Sequence, residues 1–481
     1  MTAHDLGDAL IAIAGPAAVS TDQALKDLVA GDLYASGAHP FVVVRPTSPE
    51  AVSACVAACV ANGFAVYPRG GGLSYTGGYV PQTERSVTFD LRGLNGIVGY
   101  SEEDLTIRVQ SGVTWKQIHE VLSPKGLRLP FFGTFSGLEA TVGGGLSHGA
   151  LFFGSARYGS AAEMVLGLEV ALADGTRLST GQGALKQATK SAFRNLGPDL
   201  TGLFVHDGGA FGIKTEATLR LMRTPAAIEH ASFAFRSFED ATAALCEIAR
   251  SDLTEEVYIL DPHSTDDLKV SPDAARRALT ALARYAGGPA RAAKALFSAA
   301  RSGTRMVPRG HYSLHLVAAG RLHGAARSDA AAAREIAVRA GGQSLAPTIP
   351  RLARAQLFEN LDGILGPDGR RWAALNAKVA HSDALDLIQS ADDVVAPYRA
   401  DMTALGVSQT KLASALSNHC YSYEVVFHWH DALTPIHRSA VKPAVLEAHG
   451  HSPPNPEAKE LVKVLRAATV ELFQTKGAAS N

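Results

Sequence analysis

Cysteine is scarce in this chain: four residues among 481, at positions 55, 59, 246 and 420. Their spacing matches no metal-ligand motif, and Cys55 and Cys59 fall one helical turn apart on a single face. They read as small buried core residues rather than a zinc or disulfide framework, which suits a reducing compartment and places the chain in the cytoplasm. Excess charge of either sign is also missing. Lys plus Arg (45) and Asp plus Glu (46) nearly cancel, which removes the electrostatic case for nucleic acid or an anionic membrane as partner. Long hydrophobic runs are absent as well. The apolar stretch 9–19 has no Lys or Arg before it and is interrupted by Gly15 and Pro16, so neither a signal peptide nor a membrane span is expected. No fixed-period repeat or low-complexity tract occurs. What is present is 46% hydrophobic residues, enough for two or three packed domains acting on a small molecule.

The first half alternates short apolar runs with helical patterns. Residues 41–44 read as a strand, and Ser48-Pro49-Glu50 then supplies an N-cap, a proline at the first helical position and an acidic first turn. Val52, Cys55, Val56 and Cys59 continue as the apolar stripe of a helix that stops at Asn62-Gly63, and a second strand at 64–67 delivers the chain into a glycine run. Further strands are expected at 86–90, 105–110 and 165–172, the last followed by the turn Ala173-Asp174-Gly175. From about Thr224 the character changes. Alanine- and arginine-rich segments at 273–302 and 325–340 predict helices, and isolated strands are expected at 312–318 and 421–430.

Three glycine-rich segments carry the chemistry. Arg69-Gly70-Gly71-Gly72-Leu73-Ser74, continuing through Thr76 to Gly77-Gly78, strings together residues without Cβ so that backbone amides can converge on an anion, with Ser74 and Thr76 adding hydroxyls; a diphosphate fits such a nest. A dinucleotide fingerprint does not fit, because the run opens no helix and no acidic residue follows at the required spacing. Ala140-Thr141-Val142-Gly143-Gly144, with Ser147 and then Tyr158 beyond, provides a second wall of the kind a long cofactor needs. The third segment, 204–213, ends in Gly212-Ile213, where backbone groups can reach a ring edge before a strand at 213–221.

These residues resemble the vanillyl-alcohol oxidase / p-cresol methylhydroxylase flavoprotein family, which also includes glycolate oxidase, D-lactate dehydrogenase and alkyl-dihydroxyacetonephosphate synthase relatives. The resemblance covers residues 18–223 and rests on the run from Pro68, Ala140-Thr-Val-Gly-Gly144, Arg157-Tyr-Gly159, Leu166-Gly-Leu-Glu-Val170, and Gly197-Pro-Asp-Leu-Thr-Gly-Leu-Phe204 leading to Gly212-Ile213-Lys214-Thr215. It implies an α+β fold: a two-subdomain FAD-binding domain of the p-cresol methylhydroxylase type at 1–223, an α+β cap or substrate domain at 224–440, and a C-terminal segment at 441–481 returning to the FAD domain. Members that attach FAD covalently through the first loop carry histidine where Leu73 stands. His148 is an alternative anchor, and noncovalent FAD is the expectation. The implied activity is oxidation of a CH–OH group by hydride transfer to flavin N5, with a small 2-hydroxy acid as substrate and oxygen, a quinone or a cytochrome as electron acceptor. Para-substituted phenols or aromatic alcohols are the alternative substrates, and a non-catalytic FAD-carrying electron-transfer subunit is the alternative of another class. A homodimer is among the assemblies considered.

In the cap, residues 421–430 alternate: Tyr421, Tyr423, Val425, Phe427 and Trp429 face one way, and Ser422, Glu424, His428 and His430 the other. Residues 312–318 behave similarly, with Leu314 and Leu316 opposite His311, Ser313 and His315. Histidine suits a base that takes a hydroxyl proton near neutrality, so His419, His428 and His430 are the candidate bases, against the reading that they line a solvated sheet face. A metal at His428 and His430 is not expected, because the Gly-Asp-Gly-Asn motif that accompanies paired cap histidines in hydroxy-acid relatives is absent. Arg371, heading another strand, is the candidate to grip a substrate carboxylate; a solvated surface arginine is the alternative.

Overall fold

The computed structural model describes residues 3–266, 272–285, 293, 306–358, 361, 365–449 and 452–480. Near the N-terminus, β1 (Val19–Ser20), β2 (Val42–Val44), β3 (Ala65–Arg69) and β4 (Ser86–Asp90) form a sheet in the order β1-β2-β4-β3. β4 runs parallel to both β2 and β3, and parallel strands need a crossover. The helix Pro49–Ala61 is that crossover, started by Ser48 Oγ, which accepts the Ala51 amide at 3.2 Å, and stopped at Asn62-Gly63. Its Val52, Cys55, Val56 and Cys59 bury against Val42, Val44, Val87 and Phe89, each large apolar side chain contributing about 1.5–3 kcal/mol. Burial pushes the Cys55 thiol up to about 11 and Cys59 to about 12, so both stay protonated and inert.

β5 (Ile97–Ser101), β6 (Thr106–Gln110), β8 (Val165–Ala171), β9 (Arg177–Ser179) and β10 (Ile213–Arg220) make a second, antiparallel sheet ordered β5-β6-β10-β8-β9, while β7 (Leu127–Arg128) pairs with β11 (Met222–Arg223). One element here departs from expectation. The glycine run at 142–148 forms a helix, capped by Thr141, although glycine is a poor helix former. Packing overrides propensity: a Cβ on Gly145 would lie 2.5 Å from the Trp115 ring, so only glycine lets this turn sit against the core.

The rest of the chain builds an eight-stranded antiparallel sheet from β12 (Ala227–Phe235), β13 (Glu256–Leu260), β14 (Tyr312–Gly320), β15 (Gln343–Leu345), β16 (Ala373–Ala380), β17 (Ser408–Leu416), β18 (Cys420–His428) and β19 (Ala479–Ser480), in the order β15-β12-β14-β13-β17-β18-β16-β19. Helices Phe238–Arg250, His323–Arg339, Ala384–Val395 and Pro456–Thr475 cover one face. The predicted helix at 273–302 is present as Pro272–Tyr285, and its remainder lies outside the described residues.

The alternation read from β14 and β18 holds. Leu314, Leu316, Tyr421, Tyr423, Val425 and Phe427 pack under the helices. The opposite face carries a polar row in register across six strands: Ser232, His315, Tyr258, Ser414, Ser422 and Lys378. That face is not open to water at its centre, because the first half of the chain covers it. Phe152 packs on Tyr258 with ring centroids 5.1 Å apart, and the Gly154 amide donates to Glu256 at 3.3 Å. Beneath this contact, Glu255 is fully buried and bonded to both Arg128 and Arg354, with Arg354 also 2.7 Å from Glu256. The last helix reaches back too: Arg466 donates to the Tyr75 carbonyl at 3.3 Å and lies over the Tyr34 ring. Among the described residues, no helix is long and apolar enough to cross a membrane, and no group of three His, Cys, Asp or Glu side chains could hold a metal ion.

Candidate functional site

β3 delivers Arg69 into the first glycine loop. The Arg69 guanidinium is buried, donates to the Gly31 carbonyl at 2.9 Å and stacks over Tyr79; loss of hydration lowers its pKa. Asp32 braces the loop from behind, accepting the amides of Tyr34, Ala35 and Gly77 at 2.6–2.7 Å. The amides of Gly71, Gly72 and Leu73, by contrast, have no acceptor among the described residues. A Cβ on Gly71 would lie 2.1 Å from the Glu139 carbonyl, so the second segment closes directly on the first.

In that second segment the amides are already used: Val142 donates to Val113 and Gly143 to Ser111, both at 2.8 Å, and Gly144 to Thr141 Oγ1 at 3.3 Å. Ala140 through Gly144 therefore form a wall, and the unpaired donors belong to the first loop. Ser74 and Thr76 turn toward His148, whose Nε2 is 3.0 Å from Ser74 Oγ and 3.4 Å from Thr76 Oγ1. The third segment docks on the second through the His206 amide to Leu146 and the Gly208 amide to the Ser147 carbonyl. It is anchored by a buried Lys214–Asp207 ion pair at 2.7 Å. Gly212 sits against Val170, Ile213 is buried at the start of β10, Gly78 is exposed, and Tyr158 is half-buried beside Arg128.

The large sheet faces these loops with Lys378, Ser422, Glu424 and Asn376. Burial, the Lys378 ammonium and each other's charge hold His148 and His206 below the usual imidazole range, with Glu163 opposing this at His206. Burial pushes Glu424 up to about 7, against the Asn376 hydrogen bond and Lys378. Two imidazoles, a cation and a carboxyl titrating near neutrality thus share one side of the glycine cradle.

The four sequence-predicted catalytic residues occupy other places. His419 is exposed in the β17–β18 hairpin. His428 is buried and bonded on both nitrogens, to Thr410 Oγ1 at 2.9 Å and the Arg371 carbonyl at 3.1 Å, and burial depresses its pKa to about 3. His430 is exposed and 3.3 Å from Asp368. Arg371 is neither solvated nor open, as it donates to His437 Nε2 at 2.9 Å and to the Ala432 carbonyl. His206, Lys378 and Glu424 were not singled out as site residues. Glu424 and Lys378 are marked only by strand alternation, and His206 only by its place inside a glycine turn.

Comparison with known proteins bears on the cradle first. Residues 40–181 match the family described as FAD binding domain. This segment is an FAD-binding domain. Its unpaired Gly71–Leu73 amides and the Ser74 and Thr76 hydroxyls suit a diphosphate, so the residues present fit the cofactor. The chain is 35% identical over 228 residues to a probable mitochondrial D-lactate dehydrogenase of Danio rerio, covering 46% of this chain and 44% of that one. It is 30% identical over 228 residues to the glycolate oxidase subunit GlcD of Bacillus subtilis, covering 47% and 46%. The chain thus matches less than half the length of these curated relatives. The fold is that of p-cresol methylhydroxylase, solved with substrate bound: TM-score 0.73 at 18% identity, over 99% of this chain and 88% of the other.

Proposed function

We propose that the chain is an FAD-dependent oxidoreductase that oxidises the CH–OH group of a small 2-hydroxy acid. The observation that carries the reading is the meeting of Lys378 with His148 and His206 beside the glycine cradle. A 2-hydroxy acid needs a cation for its carboxylate and a neutral imidazole for its hydroxyl proton, and both are supplied there. The names of the two curated relatives, a D-lactate dehydrogenase and a glycolate oxidase subunit, support the same substrate class.

In this reading Gly70 to Leu73 and Ser74 hold the diphosphate by their amides and hydroxyl. Arg69 and Gly77–Gly78 shape the loop, Ala140 to Gly144 and Ser147 form the facing wall, and Gly212–Ile213 and Tyr158 bound the far end. FAD, when bound, supplies the acceptor for the substrate hydride. Leu73 offers no nucleophile and His148 Nε2 is engaged by Ser74, which supports noncovalent attachment. The base comes from the loop histidines, and His419, His428, His430 and Arg371 act in structure or at the surface. An electron acceptor completes the cycle, with a cytochrome, a quinone and oxygen as its candidates.

The test is an anaerobic titration of the FAD-loaded protein with D- and L-2-hydroxy acids, para-substituted phenols and benzyl alcohols, following the flavin absorbance. Bleaching by one hydroxy-acid enantiomer, with KM raised about tenfold or more in Lys378→Met, is the expected result. Bleaching by phenols or benzyl alcohols alone would move the substrate to the aromatic class, and a yellow protein that nothing bleaches would make it a carrier.

A further inference from the structure

We propose that His206 Nδ1 takes the hydroxyl proton of the substrate and that Ser160 and Glu163 hold the imidazole in the tautomer that can do so. The inference rests on the oxidoreductase reading and goes beyond it by choosing between the two loop histidines and naming the accepting atom.

The hydrogen-bond inventory decides the tautomer. Ser160 Oγ has one proton. It is 2.6 Å from Glu163 Oε2, a charge-assisted bond in which the hydroxyl must donate. The same oxygen accepts the Ala162 amide at 3.2 Å. Toward His206 Nε2, also 3.2 Å away, it can therefore only accept. The Nε2 atom carries the ring proton, and Nδ1 keeps its lone pair. His148 differs, because its Nε2 faces two hydroxyls, Ser74 and Thr76, each able to donate or accept, and nothing selects a tautomer.

The backbone agrees. His206 has φ 56, the left-handed region a non-glycine residue seldom enters, and it is held there by its amide to Leu146 and the Gly208 amide to Ser147. Such strain costs about 1–3 kcal/mol and persists where the surroundings enforce it, commonly at functional sites. The Nδ1 edge lies along Gly149, itself at φ +68, where a Cβ would stand 2.2 Å from Nδ1. Only glycine at 149 leaves that edge its room. The side chain stays open to solvent while Ser160 beneath it is buried.

The step balances. The substrate O–H bond breaks and an N–H bond forms at Nδ1; the C–H pair leaves as hydride to the flavin, and the C=O bond forms. The resulting imidazolium is stabilised through Nε2–H, the Ser160 hydroxyl and the Glu163 carboxylate. The charged groups acting on the ring are Glu163 and Asp207, which favour the imidazolium, and Lys378, Arg194 and His148, which oppose it.

The experiment is anaerobic stopped-flow reduction of the FAD-loaded protein by its best hydroxy acid, from about pH 5 to about pH 9, which spans the imidazole range. His206→Asn is expected to slow reduction by about 10²–10⁴-fold at neutral pH, the range for losing a general base. It should also abolish the acid limb of the profile while leaving the FAD absorbance and the affinity for the 2-oxo acid product unchanged. Glu163→Gln removes a charge that favours the protonated ring, so the limb should move to lower pH. Reduction of His206→Asn at the wild-type rate, or with the wild-type acid limb, would overturn the proposal. Should that variant fail to retain FAD, Ser160→Ala and Glu163→Gln decide: a limb unmoved in both is equally fatal. If the wild type is bleached by phenols and not by hydroxy acids, the substrate class falls, and the same series run on the phenol still tests His206. A protein that nothing bleaches overturns both.

Discussion

Two regions of the molecule bury polar groups in contrasting ways. Along the margin of the large sheet near Arg371, the described polar groups close on one another: both nitrogens of His428 are bonded, and Arg371 is spent on His437 and Ala432. At the glycine loops, hydrogen-bonding capacity is left over, in the amides of Gly71 to Leu73 and on the Nδ1 side of His206. Residue type does not separate the two, since both use histidine and arginine. The difference is whether the fold satisfies the group. A buried polar group closed by protein stabilises one geometry, whereas one left open marks a position for something the chain does not itself provide.

That contrast can be broken in several places. The largest effect belongs to the closed type. Glu255→Gln removes the shared carboxylate from Arg128 and Arg354 and should destabilise the fold by about 3–5 kcal/mol, because two buried guanidiniums lose their counter-charge; urea denaturation gives the number, and a change under 1 kcal/mol, within the surface-pair range, would put this cluster with the surface ion pairs. Next comes the open type. Gly71→Val drives a side chain into the Glu139 carbonyl, and a strain of about 1–3 kcal/mol should appear as roughly 10- to 100-fold weaker FAD retention. FAD binding unaffected by this change would show that the first loop is not the cradle.

The smallest effect is the pH dependence of stability. Burial depresses His230, His315, His428 and His437 to about 3 in the folded chain, whereas the unfolded chain takes up protons near 6.5. The stabilisation is therefore complete above 6.5 and is lost as pH falls through 6.5 toward the folded values. Each histidine contributes up to about 1.4 kcal/mol per pH unit in that window. His428→Asn should flatten the slope and leave the rate of flavin reduction unchanged. A loss of rate would return His428 to the site.

Local signals were legible wherever one short stretch decides the outcome. The Ser48 cap, the stop at Asn62-Gly63, β4 at its predicted ends and the alternation of β18 all depend on near neighbours. The helix at Val142–His148 was illegible, because its stability comes from Trp115 and Ser111 rather than from its own glycines. The catalytic candidates were misdirected for a related reason. Alternation assigned His428 to the polar face of β18, where it lies, but a strand pattern says nothing about what packs on that face.

By itself the sequence determined that this is an α+β chain with three glycine segments built to approach a long anionic cofactor, because missing Cβ atoms and hydroxyl spacing are written in the residues themselves. Only the tertiary structure decided which polar groups remain available. Whether a histidine is a structural acceptor, as His437 is for Arg371, or a base held by a serine, as proposed for His206, depends on partners 46 to 66 positions away. Hydrogen-bond valence is a property of contacts in space, and sequence periodicity does not encode it.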